Sequence, residues 1–346
     1  MDIRDIAKRA GVSTATVSRT INGVPTVAPQ LAKRVWKTID ELGYYPNTQA
    51  RALVSGRTKT FGLIVSEITN PFFPTVIQVF EHLALQHGYE ILLSSTGHDP
   101  QRMKVAVRRM IERRVDGVAI LTFGMEESLL EDLRLRNVPL AFIDVGPARP
   151  GVINIRIDYE HGITQAVQHL SALGHEKIAF VAGPARVKSA VARKLAFVGA
   201  MRQLGLKVER RFLVTGDHTS NGGMVALQSL LSLQTRPTAV LCSNDLTAIG
   251  VMRHAHQAGL KVPEDLSVIG FDNIWLSDFL VPPLTTVQMS QTELAEVAFH
   301  ALLTEAQREE HPPEGSHYTL TTSLLLRSST APAQARPSPL RARSAK

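Results

Sequence analysis

From residue 61 onward, short apolar runs alternate with segments of helical periodicity, and this alternation restricts the fold more than any other feature. Each run has the length of a buried strand. Helices are expected near residues 73–87, 100–114 and 126–136 in the first half of this region. Two successive sets of strand–helix units predict an α/β fold with two doubly wound, parallel-sheet subdomains. The first set comprises FGLIVSEI, YEILLSS, DGVAILTF and PLAFIDV, and the second comprises KIAFVAG, FLVTGD, TAVLCSND and LSVIGFD.

An all-α head precedes this region. Asp2 is expected to cap a first helix that ends at Gly11, and the sequence TATVSRTI then forms a second helix. A third helix is predicted from Pro29 to the residue before Gly43. The small residues between the first two helices and the polar residues that begin the second are typical of a helix-turn-helix. The head is therefore predicted to enter the major groove of DNA.

Charge is distributed unevenly along the chain. Residues 1–60 hold ten Lys and Arg against four Asp and Glu, while residues 61–330 hold 24 against 27. This separation is expected when one domain faces phosphate and another does not. The start of the chain, MDIRDIAKRA, lacks the apolar core of a signal peptide, and no run approaches the ~18 apolar residues of a membrane span. We therefore expect a cytoplasmic protein that associates with the nucleoid through DNA and has no membrane partner.

Several motifs, in order along the chain, resemble the lactose-repressor/galactose-repressor (LacI/GalR) family of bacterial transcription regulators. The resemblance runs from residue 2 to about residue 328. The motifs are GVSTATVSRTING at 11–23, LGYYPNTQARALVSG at 42–56, NPFF at 70–73, DGVAIL at 116–121, HLSALGHEKIAFVAGP at 169–184, SNDLTAIGVM at 243–252, DLSVIGFDN at 265–273 and PPLTTV at 282–287.

The resemblance implies a division of the chain into four parts. Residues 1–46 are expected to form the DNA-binding domain, and residues 47–59 a hinge helix and linker. Residues 60–328 would bind an effector and dimerise, and residues 329–346 would be a disordered basic tail. Within the effector-binding part, the resemblance implies one subdomain from residues 60–158 plus 290–328 and another from residues 159–289.

The resemblance also assigns DNA-contacting roles to individual residues. Thr14, Ala15 and Arg19 occupy positions that read base edges in the major groove. In the hinge, Asn47, Ala50 and Leu53 occupy minor-groove positions, with Leu53 inserted between base pairs. The positions that hold the DNA backbone without reading sequence are those of Ser13, Thr16, Ser18, Asn22 and Tyr44.

Polar and aromatic residues at the ends of the predicted strands define the candidate effector site, because ligands of parallel sheets bind at the carboxyl ends of the strands. Carboxylates, an amide and a guanidinium beside an aromatic ring suit a polyol, and we therefore predict a carbohydrate effector. His218 is included in the set, although it departs from the family pattern, in which many members carry an aromatic ring at this position. The predicted set is Asn70, Phe72, Phe73, Asp144, Ser189, Arg193, His218, Asn244 and Asp272.

Other effectors stay open. Met289 stands where a polar ligand contact is frequent in the family, so fewer polar contacts are available on that side. A smaller or less hydroxylated effector therefore stays open, as does a phosphorylated sugar attracted to Arg186, Lys188 and Arg193. A purine or a protein partner would also fit a regulator. A solute-binding protein that does not bind DNA would explain the two subdomains but would leave the basic head unexplained.

No catalytic residue, cofactor or metal site is predicted. The sequence lacks a Gly-rich phosphate loop, a G-x-S-x-G elbow and an H-E-x-x-H motif. His254 and His256 would point about 200° apart on a helix and so would not share a metal. The single cysteine, Cys242, lies in an apolar run and excludes an intrachain disulfide.

The predicted function is that of a homodimeric, sequence-specific transcriptional repressor on a near-palindromic operator. The C-terminal residues carry no leucine heptad, so no tetramer is expected. An effector in the cleft would change the angle between the subdomains and thereby the spacing of the hinge helices. Whether the effector releases or tightens DNA binding is left open by the sequence.

Overall fold

The computed structural model describes residues 2–45, 56–122, 127–143, 151–308 and 316–334. The chain divides into two units, Met1–Lys59 and Thr60–Lys346. The predicted hinge residues Asn47, Ala50 and Leu53 and the predicted effector residue Asp144 lie outside the described residues. No helix among the described residues has both the length and the apolar character needed to cross a bilayer.

Three helices form the first unit: α1 (Ile3–Ala10), α2 (Thr14–Ile21) and α3 (Pro29–Leu42). Asp2 caps α1 through a capping box with Asp5, and Gly11 ends the helix in the left-handed conformation. The buried core of this unit consists of Ile6, Ala7, Ala10, Val17, Val35 and Ile39. The predicted helix-turn-helix head is therefore confirmed.

The second unit contains two six-stranded sheets, and each sheet centres one subdomain. The first sheet has the order β11-β5-β4-β3-β1-β2 and is parallel throughout. Its strands are β1 (Thr60–Val65), β2 (Glu90–Ser95), β3 (Gly117–Leu121), β4 (Leu140–Ile143), β5 (Val152–Asp158) and β11 (His317–Thr321).

The second sheet has the order β12-β10-β9-β8-β6-β7, and only β12 runs antiparallel to its neighbour among the described strands. Its strands are β6 (Ile178–Ala182), β7 (Leu213–Thr215), β8 (Ala239–Cys242), β9 (Ser267–Asp272), β10 (Thr285–Gln288) and β12 (Ser323–Leu325). The predicted pair of doubly wound subdomains is confirmed.

Helices cover both faces of the sheets, as buried parallel strands require. Those that follow strands of the first sheet are α4 (Phe72–Gln86), α5 (Pro100–Glu112), α6 (Glu127–Arg134) and α7 (Tyr159–Ala172). The remaining helices are α8 (Lys188–Gln203), α9 (Ser220–Leu231), α10 (Asp245–Gln257) and α11 (Gln291–Gln307).

The C-terminal part of the chain departs from the prediction in two places. Residues 290–328 were expected to belong to the first subdomain, but β12 pairs with β10 of the second sheet. The tail was expected to be disordered from residue 329, but Ser329 is fully buried. Its hydroxyl donates to the Val268 carbonyl and accepts from the Thr285 amide, while its carbonyl accepts from the Val268 amide. These hydrogen bonds hold Ser329 against β9 and the first residue of β10, which are interior strands of the second sheet, and this is why the chain is held there.

Candidate functional sites

The surface of α2 carries the predicted base-reading side chains. Thr14, Ala15 and Arg19 are exposed, whereas Val17 on the opposite side is buried in the head core. Ser13 caps the helix by accepting from the Thr16 amide at 3.1 Å. The exposed face and the exposed helix N-terminus present hydrogen-bond donors to an anionic partner. This arrangement suits entry into a major groove.

The residues predicted to hold the DNA backbone lie near the ends of α2 and α3. Ser13 and Asn22 flank α2 and are exposed, and Ser18 lies within hydrogen-bonding distance of Asn22 at 3.5 Å. Thr16 is half-buried, and its hydroxyl hydrogen-bonds that of Ser13 at 2.9 Å. Tyr44 is half-buried and packs against the head core.

A cavity of about 160 Å³ lies between the two subdomains, at the carboxyl ends of strands from both sheets. This is the edge at which the effector site was expected from the sequence. The predicted residues Asn70, Phe72, Phe73, Ser189, Arg193, His218, Asn244 and Asp272 all line it, together with Met289.

Arg193 and Asp272 form an ion pair inside the cavity wall. The Arg193 Nη2 lies 3.2 Å from the Asp272 Oδ1, and both side chains are more than nine-tenths buried. Arg193 Nη1 donates to the Ser243 carbonyl at 2.5 Å, and the guanidinium stacks 3.9 Å from the centre of the Phe271 ring. None of the described residues hydrogen-bonds its buried Nε. The guanidinium is thus held in one orientation while retaining an unpaired donor.

The backbone at Asp272 is unusual, because φ is 107°. Such conformations cost free energy in residues other than glycine and persist where surrounding structure enforces them. Burial raises the pKa of Asp272 to about 6, although Arg193 opposes the shift. A carboxyl with this pKa is ionised at neutral pH and accepts hydrogen bonds.

Asp245 is a buried carboxylate that stabilises the segment following Asp272. Its carboxylate accepts from the Ile274 amide at 2.8 Å, the Ser277 hydroxyl at 2.7 Å and the Thr286 hydroxyl at 2.6 Å. Burial and then the charge of Asp272 raise the pKa of Asp245 to about 7. Because Ile274 follows Asp272 by two residues, these hydrogen bonds fix the chain that carries Asp272.

Asn244 joins the loops that follow β7 and β8. Its amide donates to the His218 carbonyl at 3.0 Å, and its Oδ1 accepts from the amide and hydroxyl of Thr247 as the cap of α10. The His218 ring hydrogen-bonds the Ser243 hydroxyl through Nε2 at 2.9 Å. Asn244 therefore holds the backbone of His218 and the start of α10 together.

Comparison with known proteins identifies the chain. Residues 2–47 match a model described as bacterial regulatory proteins, lacI family, and residues 167–330 match a periplasmic binding protein-like domain. The HTH-type transcriptional repressor PurR of Photobacterium profundum is 34% identical, with 94% of this chain and 98% of that protein covered. The chain belongs to the LacI family of bacterial transcriptional repressors.

Solved structures of the LacI family share most or all of this fold. The Lac repressor dimer bound to operator and the anti-inducer ONPF is 28% identical, covers 96% of this chain and 99% of its own, and has a TM-score of 0.85. A LacI family regulator from Enterococcus faecium with bound ribose is 29% identical, covers 80% and 100%, and has a TM-score of 0.70. The match to the Lac repressor spans both units of this chain, and the match to the Enterococcus faecium regulator spans about four-fifths of it.

Sequence reasoning missed several residues of the LacI-type cavity. Ser66, Glu67, His98 and Thr219 line it without having been predicted as effector residues, and Asp245 lies behind it. The rule that ligands bind at the carboxyl ends of parallel strands also applies to three of these residues, since Ser66 and Glu67 follow β1 and His98 follows β2. The role of Asp245 depends on contacts with residues 29 to 41 positions away and has no local pattern.

Proposed function

We propose that this repressor binds a sugar or sugar derivative in the cavity between its subdomains, and that the occupied cavity alters operator affinity. The buried Arg193–Asp272 pair carries the proposal. Burying two charges costs desolvation free energy even when they form a pair, so apolar side chains would fill a cavity wall at lower cost. The pair is useful, however, for orienting a polar ligand.

The cavity has the chemistry that a polyol requires. Its volume of about 160 Å³ lies below the roughly 300–1,000 Å³ of drug-sized ligand sites, which favours a small molecule. Asp272 and Asn244 supply acceptors and Arg193 supplies donors, while Phe72 and Phe73 supply an apolar surface. The ribose described for the Enterococcus faecium relative is a ligand of this class.

For the head, we propose that Thr14, Ala15 and Arg19 read base edges, with Arg19 suited to bidentate contact with guanine. Ser13, Thr16, Ser18, Asn22 and Tyr44 would hold the DNA backbone and fix the register of α2. The exposure of Thr14, Ala15 and Arg19 supports this assignment.

For the hinge, we propose that Asn47 and Ala50 approach the minor groove and that Leu53 inserts between base pairs in a homodimer on a near-palindromic site. We expect Leu53→Ala to weaken operator binding, because it removes the apolar wedge. Operator affinity measured by fluorescence anisotropy tests this step, and unchanged affinity would contradict the hinge assignment.

Thermal unfolding of the full chain against sugars, sugar phosphates and nucleobases tests the effector class. A ligand that binds only the native state raises the unfolding midpoint, and the stabilisation grows with the logarithm of the ligand concentration above its Kd. We expect one or more uncharged sugars to raise it. A shift with nucleobases alone would overturn the carbohydrate assignment and leave the repressor function intact.

A further inference from the structure

Two histidines face the cavity from opposite subdomains. His98 follows β2 of the first sheet, and His218 follows β7 of the second. They are close enough for the charge of His98 to contribute to the lowered pKa of His218. A ligand between them would touch both subdomains at once.

Both histidines adopt the left-handed backbone conformation, with φ of 58° at His98 and 67° at His218. Histidine tolerates this region better than most side chains, but glycine is its usual occupant. Strained residues of this kind cluster at ligand clamps. The conformation aims each ring in a direction that a regular strand or helix would not provide.

The hydrogen bonding of the two rings differs. The Nε2 of His218 hydrogen-bonds the Ser243 hydroxyl. The ring also packs against Gly183, where an added Cβ would collide with it. The buried Nδ1 of His98 has no hydrogen-bond partner among the described residues. An unpaired buried nitrogen costs free energy that a ligand hydroxyl would recover.

The charges around the rings disfavour an anionic ligand. His98 faces Glu67 and Arg186, and His218 faces Arg193 and Asp217. Burial lowers the pKa of His98 and lowers that of His218 to about 3, so both rings are uncharged at neutral pH. Arg193 is already paired with Asp272, while Glu67 and Asp217 also line the cavity. A phosphate group would therefore meet two uncharged imidazoles and three carboxylates, those of Glu67, Asp217 and Asp272, against the two guanidiniums of Arg186 and Arg193.

We propose that His98 and His218 bind one uncharged, hydroxyl-bearing effector from opposite sides of the cleft. They are then specificity-determining residues that select a free sugar over its phosphate ester. An effector bound to both histidines would also link the first subdomain to the second. This inference rests on the proposed function, because it names the ligand charge and two binding residues of the same site.

Titration calorimetry of the full chain at pH 7.5 tests the inference. The probes are ribose and glucose, with ribose 5-phosphate and glucose 6-phosphate as their charged counterparts. The variants are His98→Asn and His218→Asn, because asparagine also tolerates the left-handed region while its side chain is shorter. His256→Asn, at an exposed position on α10, is the matched control.

We expect at least one uncharged sugar to bind more tightly than the phosphate esters. Each cavity variant should weaken its binding about tenfold or more, and the control should leave it unchanged. Unfolding midpoints without ligand identify variants that retain the fold. A tighter phosphate ester, or a folded His98 or His218 variant with wild-type affinity, would overturn the inference while the carbohydrate proposal stands. If none of the probes binds, the carbohydrate proposal and this inference both fail.

Discussion

At the scale of single residues, the site depends on a guanidinium that is fixed before any ligand arrives. Arg193 contacts Asp272, the Ser243 carbonyl and the Phe271 ring, and the Tyr159 ring lies 5.3 Å from its Cζ. These contacts use the planar, multidentate geometry of arginine, which lysine does not reproduce. Orientation that is fixed in advance lowers the entropy cost of binding.

We expect Arg193→Lys to weaken the binding of a sugar effector about 100-fold while operator affinity without effector stays within about twofold. The lysine keeps the charge beside Asp272 but loses the paired donors and the stacking, which together are worth about 3 kcal/mol. Calorimetry and operator anisotropy measure the two effects. Arg202→Lys, exposed near the end of the same helix, is the control and should change neither.

His218 predicts a specific pH dependence of stability. Its pKa is lowered from 6.5 to about 3 in the folded chain, chiefly by burial. As pH falls below about 6.5, the unfolded chain therefore takes up a proton that the folded chain does not. Folded-state stability is lost progressively between about pH 6.5 and 3.

The effect is isolated by comparing wild type with His218→Asn in urea unfolding between pH 7.5 and 4.5. Wild type should lose about 1.4 kcal/mol per pH unit relative to the variant below about pH 6. Parallel pH profiles for the two proteins would show that His218 is not held uncharged by the fold.

Much of the cavity wall was predictable because strand ends are visible in the sequence. The apolar runs before Asn244 and Asp272 fix where their strands stop, and the ends of parallel strands meet at one edge of a sheet. His98 also follows a strand, β2, but no local pattern in the sequence distinguishes it from the other histidines. The Nδ1 of His98 becomes buried without a hydrogen-bond partner only when the chain folds, so the sequence does not reveal it.

At the scale of elements, α9 and α10 approach each other through paired glycines. A Cβ at Gly223 would collide with the Thr247 carbonyl, and a Cβ at Gly250 with the Ser220 carbonyl. Since the obstacles are backbone atoms, side-chain rotation does not relieve them. The close approach brings the start of α10, where Asn244 lies, beside the loop that carries His218.

We expect Gly250→Ala to lower the free energy of unfolding by about 1–3 kcal/mol, because the helices must separate. Gly199→Ala provides a matched control within α8, where an added Cβ meets no atom within 4 Å. Alanine there should raise the free energy of unfolding by about 0.5–1 kcal/mol through helix propensity. Urea denaturation of both variants measures this, and equal effects would contradict the packing account.

The C-terminal segment is a second element whose role follows from its hydrogen bonds. Ser329→Ala removes two buried side-chain hydrogen bonds and leaves the Thr285 amide without its acceptor. We expect a loss of about 1–3 kcal/mol in the free energy of unfolding. The adjacent, exposed Ser328→Ala is the control. If the two variants unfold at the same urea concentration, Ser329 does not hold the segment.

The strands that the sequence did not reveal are those without a continuous apolar run. In β5, Asn154, Arg156 and Asp158 interrupt the hydrophobic pattern, and β12 is only three residues long. Both form because neighbouring strands from distant parts of the chain supply their hydrogen bonds. Such pairing is a tertiary effect that a local window does not detect.

At the scale of the whole molecule, the family organisation joins a DNA-reading head to a domain that holds an effector. Each unit has its own core, which allows DNA contacts and effector contacts to be altered separately. Regulation then requires only that effector binding and operator binding be coupled. Such couplings between sites are typically about 1–3 kcal/mol, or roughly 5- to 150-fold in affinity.

The central claim is that a small molecule in the cavity controls operator affinity. Its most direct test is the dissociation constant of the full chain for a duplex selected from random sequence, measured with and without saturating effector from the thermal-unfolding screen. We predict a change of about fivefold or more that disappears in Arg193→Lys under the same effector concentration. An unchanged dissociation constant at saturation, or a full response in Arg193→Lys, would contradict the account.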